Sequence, residues 1–266
     1  MAFEVKKKIL EEIQKDMNCR RCKKFPGKGR MYKCKERNHS LCEPCRSMCP
    51  CGSEANPDVL SEKLRSLLPN PCQNHLDGCK ELLMESDLPD HEAECTYRKV
   101  NCADAYCTKK VPILDYMNHI IHEHDLKSLS NGSVRKVRFT EGAAYWAPTK
   151  IEQHGRTFFL VGLKSMGIEC VWLYLLGTLK EATNYTFVAK MVGPLDEEIS
   201  YKGPVLSVDV SSSTILETHQ YFCLGTTKYC QRFRQDDGFA NFQVEIISSK
   251  EEVKDENDES GISDED

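Results

Sequence analysis

From residue 133 onward the chain is written in short apolar and β-branched runs. "SVRKVRF", "TFFLVGLK", "ECVWLYLLG", "NYTFVAKMV", "PVLSVDVS", "YFCLG" and "FANFQVEII" are each five to nine residues long. Turn residues separate them: Gly155, Gly167, Gly193-Pro194, Gly203-Pro204 and Asp237-Gly238. Short strands at this spacing, with no helix-length periodicity, predict an antiparallel β-sandwich over 126–249. The opposite end alternates differently. "MAFEVKKKILEEIQKDM" puts Val5, Ile9, Ile13 and Met17 on one side of a short amphipathic helix, taken as 1–18. It lacks the continuous apolar core of a secretory signal. No 18-residue apolar run occurs, so no membrane span is expected.

Between these ends apolar periodicity fades and cysteine takes its place. Of 15 cysteines, twelve lie between Cys19 and Cys107. Many thiols without a secretory signal point to a reducing compartment, cytoplasm or nucleus, where they bind metal more often than each other. Cys72-x6-Cys79-x11-His91-x3-Cys95 is followed by Cys102-x4-Cys107-x11-His119-x4-His124. Each set offers four thiol or imidazole ligands, which suits tetrahedral zinc. Pro89-Asp90 opens a helix that spaces His91 and Cys95 one turn apart. His119 and His124 are five apart, so their helix must loosen near its end. His122 competes with His124 as the fourth ligand. These sets define a double finger over 69–125.

Upstream, Cys19, Cys22, Cys34, His39, Cys42, Cys45, Cys49 and Cys51 follow the ligand order of a RING finger, placed over 19–52. In that order the pairs interleave: Cys19/Cys22 with Cys42/Cys45, and Cys34/His39 with Cys49/Cys51. Such a cross-brace shapes a segment too short to build a core of its own. The last pair encloses one residue, Pro50, where two are usual, which strains that tetrahedron. Four zinc ions per chain are expected, three if this knuckle is degenerate. A helical linker fills 53–68. Metal rather than apolar bulk then holds the cysteine-rich half, and a chelator is expected to unfold it while sparing the sandwich.

Charge sharpens the division. Residues 1–52 carry fourteen Lys/Arg against six Asp/Glu, whereas 250–266 carry two Lys against nine acids. The acidic tail has too few apolar residues to offset ordering entropy and is read as disordered, either a solvating end or a partner or phosphoacceptor segment through Ser260 and Ser263. Between Cys107 and His119, "TKKVPILDYMN" lacks the Arg, Lys, Asn and Gln array of a groove-reading helix. Nucleic acid is therefore not expected as a partner.

The RING-like knuckles, the two finger spacings, "MNHIIHEH" and "EGAAYW" together resemble the seven-in-absentia (SINA/SIAH) ubiquitin ligases. That resemblance implies an α+β multidomain chain: a small zinc-stabilised RING, paired SIAH-type fingers, then a TRAF-like antiparallel β-sandwich. It implies a RING-type E3 that recruits a ubiquitin-conjugating enzyme and holds an extended degron on the first strands of the sandwich, with homodimerisation through that domain. The matching peptide-contact positions are Lys127, Leu129, Ala143, Ala144, Tyr145 and Trp146, with Trp146 either walling a pocket or lying in ordinary core. For the conjugating enzyme the positions are Arg20, Met48 and Pro50. RINGs usually carry an aliphatic residue where Arg20 stands; Met31 and Tyr32 are available to replace the lost contact. No residue is assigned as a nucleophile. The departures at Arg20 and Cys49–Cys51 also fit an adaptor that binds targets or an active relative without catalysing transfer.

Overall fold

The structure is a computed structural model; it describes residues 11–26, 29–129, 134–139 and 145–249. The chain divides into two compact units, 1–98 and 99–266. The dividing line runs between the two fingers. No described helix is long and apolar enough to cross a membrane.

In the first unit a helix over 11–17 (α1) turns Ile13 and Met17 against Phe25 and Met31. Val5 and Ile9 of the same predicted stripe lie outside the described residues. Strands β1 (Met31–Cys34), β2 (Ser40–Cys42) and β3 (Ala55–Pro57) form a small antiparallel sheet in the order β2-β1-β3. Met31 and Tyr32 are not available as contact residues. They are buried in this module, Tyr32 beneath the Arg46 guanidinium at 5.4 Å. The 53–68 segment is helical only in its second part. It begins as β3, and Asp58 then caps α2 (Val59–Leu67) by accepting from the Ser61 amide. That helix buries its polar side. Arg65 donates to the carbonyls of Pro26 and Gly29, and Glu62 accepts from the Met31 amide. These bonds fix the helix roll and leave Leu60 and Leu67 exposed. The first finger follows: β4 (Asn70–Pro71), β5 (Leu82–Leu83) and α3 (Leu88–Glu94), whose first turn holds the expected proline.

The second unit opens with the second finger, a hairpin of β6 (Lys99–Asn101) and β7 (Lys110–Pro112) followed by α4 (Tyr116–Glu123). The sandwich is built from β8 (Lys127–Leu129), β9 (Val134–Val137), β10 (Tyr145–Gln153), β11 (Arg156–Ser165), β12 (Ile168–Leu175), β13 (Tyr185–Val192), β14 (Glu198–Pro204), β15 (Leu206–Ser207), β16 (Phe222–Thr226) and β17 (Ala240–Ser248). One sheet runs β15-β12-β11-β10-β8 with β16 also on β12; the other runs β14-β13-β17-β9. Pairing is antiparallel except for β8 on β10 and β15 on β12. Short helices α5 (Leu179–Ala182), α6 (Ser212–Glu217) and α7 (Thr227–Cys230) bridge strands. The run "PVLSVDVS" is not one strand: Pro204 ends β14, Leu206–Ser207 pair as β15, and the Ser207 hydroxyl then bonds the Gly177 carbonyl and the Asp209 amide where the chain turns towards α6.

One sheet is buried on both faces, and this explains its sequence. Phe158, Leu160, Val171 and Leu173 face Phe187, Met191, Phe242 and Ile246 of the opposite sheet. Their neighbours Phe159, Val161, Trp172 and Tyr174 face the other way, onto Val100, Val111, Tyr116 and Ile120 of the second finger. A strand covered on both sides reads as a continuous apolar run rather than an alternation. The finger is further tied down by Asn101, whose amide bonds the Val208 carbonyl at 3.0 Å and whose side chain bonds the Asp209 carbonyl at 2.9 Å. The second finger and the sandwich thus share one core. The expectation that a chelator spares the sandwich is revised on that ground.

Candidate metal centres

The eight donors of the first module separate into two interleaved quartets, Cys19/Cys22/Cys42/Cys45 and Cys34/His39/Cys49/Cys51. The fingers supply Cys72/Cys79/His91/Cys95 and Cys102/Cys107/His119/His124. Within each quartet all donor atoms lie within 4.8 Å of one another. A tetrahedral zinc with Zn–S bonds of about 2.3 Å sets its sulfurs roughly 3.8 Å apart. Cys22–Cys42 and Cys72–Cys95 are at 3.8 Å, and Cys79–His91 Nε2 at 3.4 Å. The donors are thiols and imidazoles with no carboxylate among them, a set that favours zinc over harder cations.

Local backbone geometry makes each quartet. In both fingers the residue two past the first cysteine donates its amide to that sulfur: Asn74 to Cys72 and Asp104 to Cys102, each at 3.4 Å. Burial pushes the Cys72 thiol up to about 12 and raises Cys102 as well. Thiols that burial holds up become thiolates beside a cation, so these donor sets fit a divalent ion. Elsewhere hydrogen bonds win. Burial raises Cys19, but amides of Cys22, Cys42 and Arg21 outweigh it and bring the thiol down to about 7. The Ser53 hydroxyl, 3.0 Å from the Cys34 sulfur, and the Arg37 amide hold Cys34 at about 6.

The end of α4 resolves the choice between His122 and His124. The helix stops at Glu123, and His124 takes an extended conformation (φ −134°, ψ 152°). That swing brings its Nε2 to 3.3 Å from both Cys102 Sγ and His119 Nε2. His122 stays in the helix, exposed and outside the quartet. Sequence reasoning missed Asp104. Its buried carboxylate lies 3.0 Å from His124 Nδ1 and fixes the tautomer that presents Nε2 inward.

The Cys34/His39/Cys49/Cys51 quartet is contracted. Cys49–Cys51 are 3.1 Å apart, Cys34–Cys51 3.2 Å and His39 Nε2–Cys49 3.2 Å. The single residue between Cys49 and Cys51 draws the sulfurs inside the ideal edge, and Ser53 closes over Cys34 and Cys51.

The remaining predicted contact residues are dispersed. Met48 and Pro50 are exposed on the second loop, but Arg21 rather than Arg20 reaches Met48, with Nη1 2.9 Å from its sulfur. Arg20 lines a cleft elsewhere on the module. Lys127 and Leu129 lie on β8, the edge strand beside β10; Lys127 is paired with Asp125 at 2.7 Å. Ala143 and Ala144 lie outside the described residues, and Tyr145 begins β10. Trp146 is in the sandwich core, 4% exposed, edge-on to Phe242 and beneath Arg135 at 5.3 Å. It packs so closely on Gly162 that a Cβ there would fall 2.4 Å from the indole.

Residues 63–139 match the family model for the Sina zinc finger. The chain is 28% identical over 169 residues to the probable E3 ubiquitin-protein ligase sinah of Drosophila melanogaster, covering 57% of this chain and 48% of that protein. It is 28% identical over 175 residues to the E3 ubiquitin-protein ligase SIAH2 of Homo sapiens, covering 58% and 53%. The siah2 ligase of Xenopus laevis gives 28% over 177 residues, 58% and 55%. The chain thus spans about half the length of the curated relatives it matches. Paired finger quartets followed by a β-sandwich, with these likenesses, make the chain similar to ligases of the seven-in-absentia (SINA/SIAH) family at modest identity, with the Sina zinc finger itself matched over 63–139.

Proposed function

We propose that this protein is a RING-type E3 ubiquitin-protein ligase. The observation that carries the reading is the interleaving of the two quartets of residues 19–51, upstream of the Sina finger. Interleaved quartets brace two loops side by side, and Met48 and Pro50 leave an exposed apolar surface on the second loop. On this reading that surface grips a ubiquitin-conjugating enzyme charged with ubiquitin, and the edge of the sandwich near β8 accepts an extended degron as an added strand. The substrate lysine attacks the thioester directly. The chain supplies proximity and restraint rather than a covalent intermediate. Its zinc, four ions per chain, is structural: every quartet fills the coordination shell with protein donors. Homodimerisation through the sandwich and a cytoplasmic or nuclear location belong to the same proposal.

Chain formation with a panel of conjugating enzymes tests it. The zinc-loaded protein should build ubiquitin chains with at least one of them, and Met48→Ala should slow the reaction. No chains with any enzyme would reject the ligase. The contracted Cys49–Cys51 quartet and the placement of Arg20 favour a second reading, an adaptor that binds targets or an active relative without transferring ubiquitin.

A further inference from the structure

The cleft that contains Arg20 has its own chemistry. Lys15 reaches it from α1, Arg20 and Lys23 from the first metal knuckle, Lys33 from β1 and Arg37 from the turn between β1 and β2. Asp16 is the one acid in its lining. Lys33 lies 3.7 Å from Asp58; among the described residues, no carboxylate pairs with Lys15, Arg20, Lys23 or Arg37. These cations do not sit on loose loops. The Arg20 amide bonds the Ser40 carbonyl at 2.8 Å, the Lys23 amide closes the knuckle onto the Cys19 carbonyl at 2.8 Å, and the Ser40 hydroxyl bonds the Asp16 carbonyl at 2.8 Å. Four unpaired cations converging on a cleft of about 590 Å³ repel one another unless an anion lies between them.

We propose that this cleft binds an acidic peptide segment of a partner protein. A peptide is favoured over nucleic acid by the lining. No Phe, Tyr or Trp offers a base a stacking platform, and Asp16 meets peptide amides well but phosphates badly. Arg20 then stands where an aliphatic residue is usual because it serves this surface instead of the conjugating enzyme. The inference is independent of ligase activity, and its test reads binding alone.

The test is fluorescence anisotropy of a labelled Asp/Glu/Ser peptide on the zinc-loaded full chain, with an oligothymidylate of equal charge as competitor. Each exposed cation contributes modestly to holding an anionic partner, so removing two is needed for a clear loss. Lys15→Ala/Arg37→Ala should therefore weaken peptide binding about tenfold with zinc content unchanged, while Lys24→Ala, outside the cleft, should not. Raising salt from about 50 to about 500 mM should weaken binding to wild type by a similar factor. Undiminished binding by the zinc-replete double variant overturns the proposal. So does an oligothymidylate that binds more tightly than the peptide.

Discussion

Removing the Asp104 carboxylate should loosen the second-finger metal without touching a ligand. Asp104 is 5% exposed, lies 3.0 Å from His124 Nδ1, and also accepts from the Tyr106 amide at 2.9 Å. Partners of this kind typically contribute 10–100-fold to metal affinity, equivalent to about 1.4–2.7 kcal/mol. Losing the Tyr106 bond adds about 1 kcal/mol by loosening the Cys102 knuckle. Asp104→Ala should therefore weaken zinc at this quartet by between one and two orders of magnitude, more if both losses act together. The assay is cobalt(II) titration with zinc competition, because a two-sulfur, two-nitrogen site has visible bands distinct from those of the sulfur-richer quartets. Lys109→Ala, which breaks only the exposed Lys109–Glu123 pair on the same finger, is the control and should leave affinity unchanged. Because metal binding to the folded form is linked to stability, the sandwich should soften with the finger. Wild-type affinity in Asp104→Ala would refute this role for the carboxylate.

Other outcomes follow from the same structure. Ile120 is fully buried against the outer face of the β11–β12 sheet, so Ile120→Ala should cost about 2–5 kcal/mol and melt finger and sandwich in one transition by calorimetry; an unchanged sandwich transition would contradict the shared core. Ser53→Ala removes the hydroxyl that holds Cys34 at about 6, and should speed zinc release from the contracted quartet to a chromogenic chelator several-fold while sparing the other three; release at the wild-type rate would count against the contact. Glu169 is 1% exposed, with one carboxylate oxygen bonded to Thr227 and the other without a partner. Burial raises its carboxyl, so the folded chain holds that proton more tightly than the unfolded chain. The contribution is complete below the free carboxylate value of roughly 4.3 and is lost as pH rises through the folded value. Glu169→Gln should thus gain on wild type by an order of 1 kcal/mol between acid and neutral pH in urea unfolding; parallel curves for the two proteins would exclude it.

The metal chemistry was legible because ligand spacing is a local constraint: each x11 spacer and each knuckle can be counted along the chain. The partition of the interleaved quartets came instead from the RING-like order of the eight ligands, because it joins pairs far apart in the chain. Asp104 and Ser53 were not, because a carboxylate two residues past a cysteine, or a serine two residues past another, has no periodicity to mark it. Strand β10 escaped the sequence reading because Pro148 and a register shift between Trp146 and Thr149 break its pattern. Strand β14 escaped because Glu198, Ser200, Lys202 and Pro204 fill its exposed positions and a glycine, Gly203, takes its one buried position. The apolar runs of β11 and β12 did announce strands, but only the structure explains why they are continuous. They are covered on one face by the opposite sheet and on the other by a zinc finger. That same packing is invisible in finger spacing, which made the two fingers look like one unit set apart from the sandwich.

The central claim is that thiol–imidazole quartets closed around zinc shape the cysteine-rich region. Native mass spectrometry of the full chain, purified under reducing conditions without chelator, tests it in a single spectrum. Four zinc ions per compact monomer, with every cysteine unoxidised, is the predicted result. A compact, metal-free monomer, or one whose mass shows its finger cysteines joined as disulfides, would contradict it.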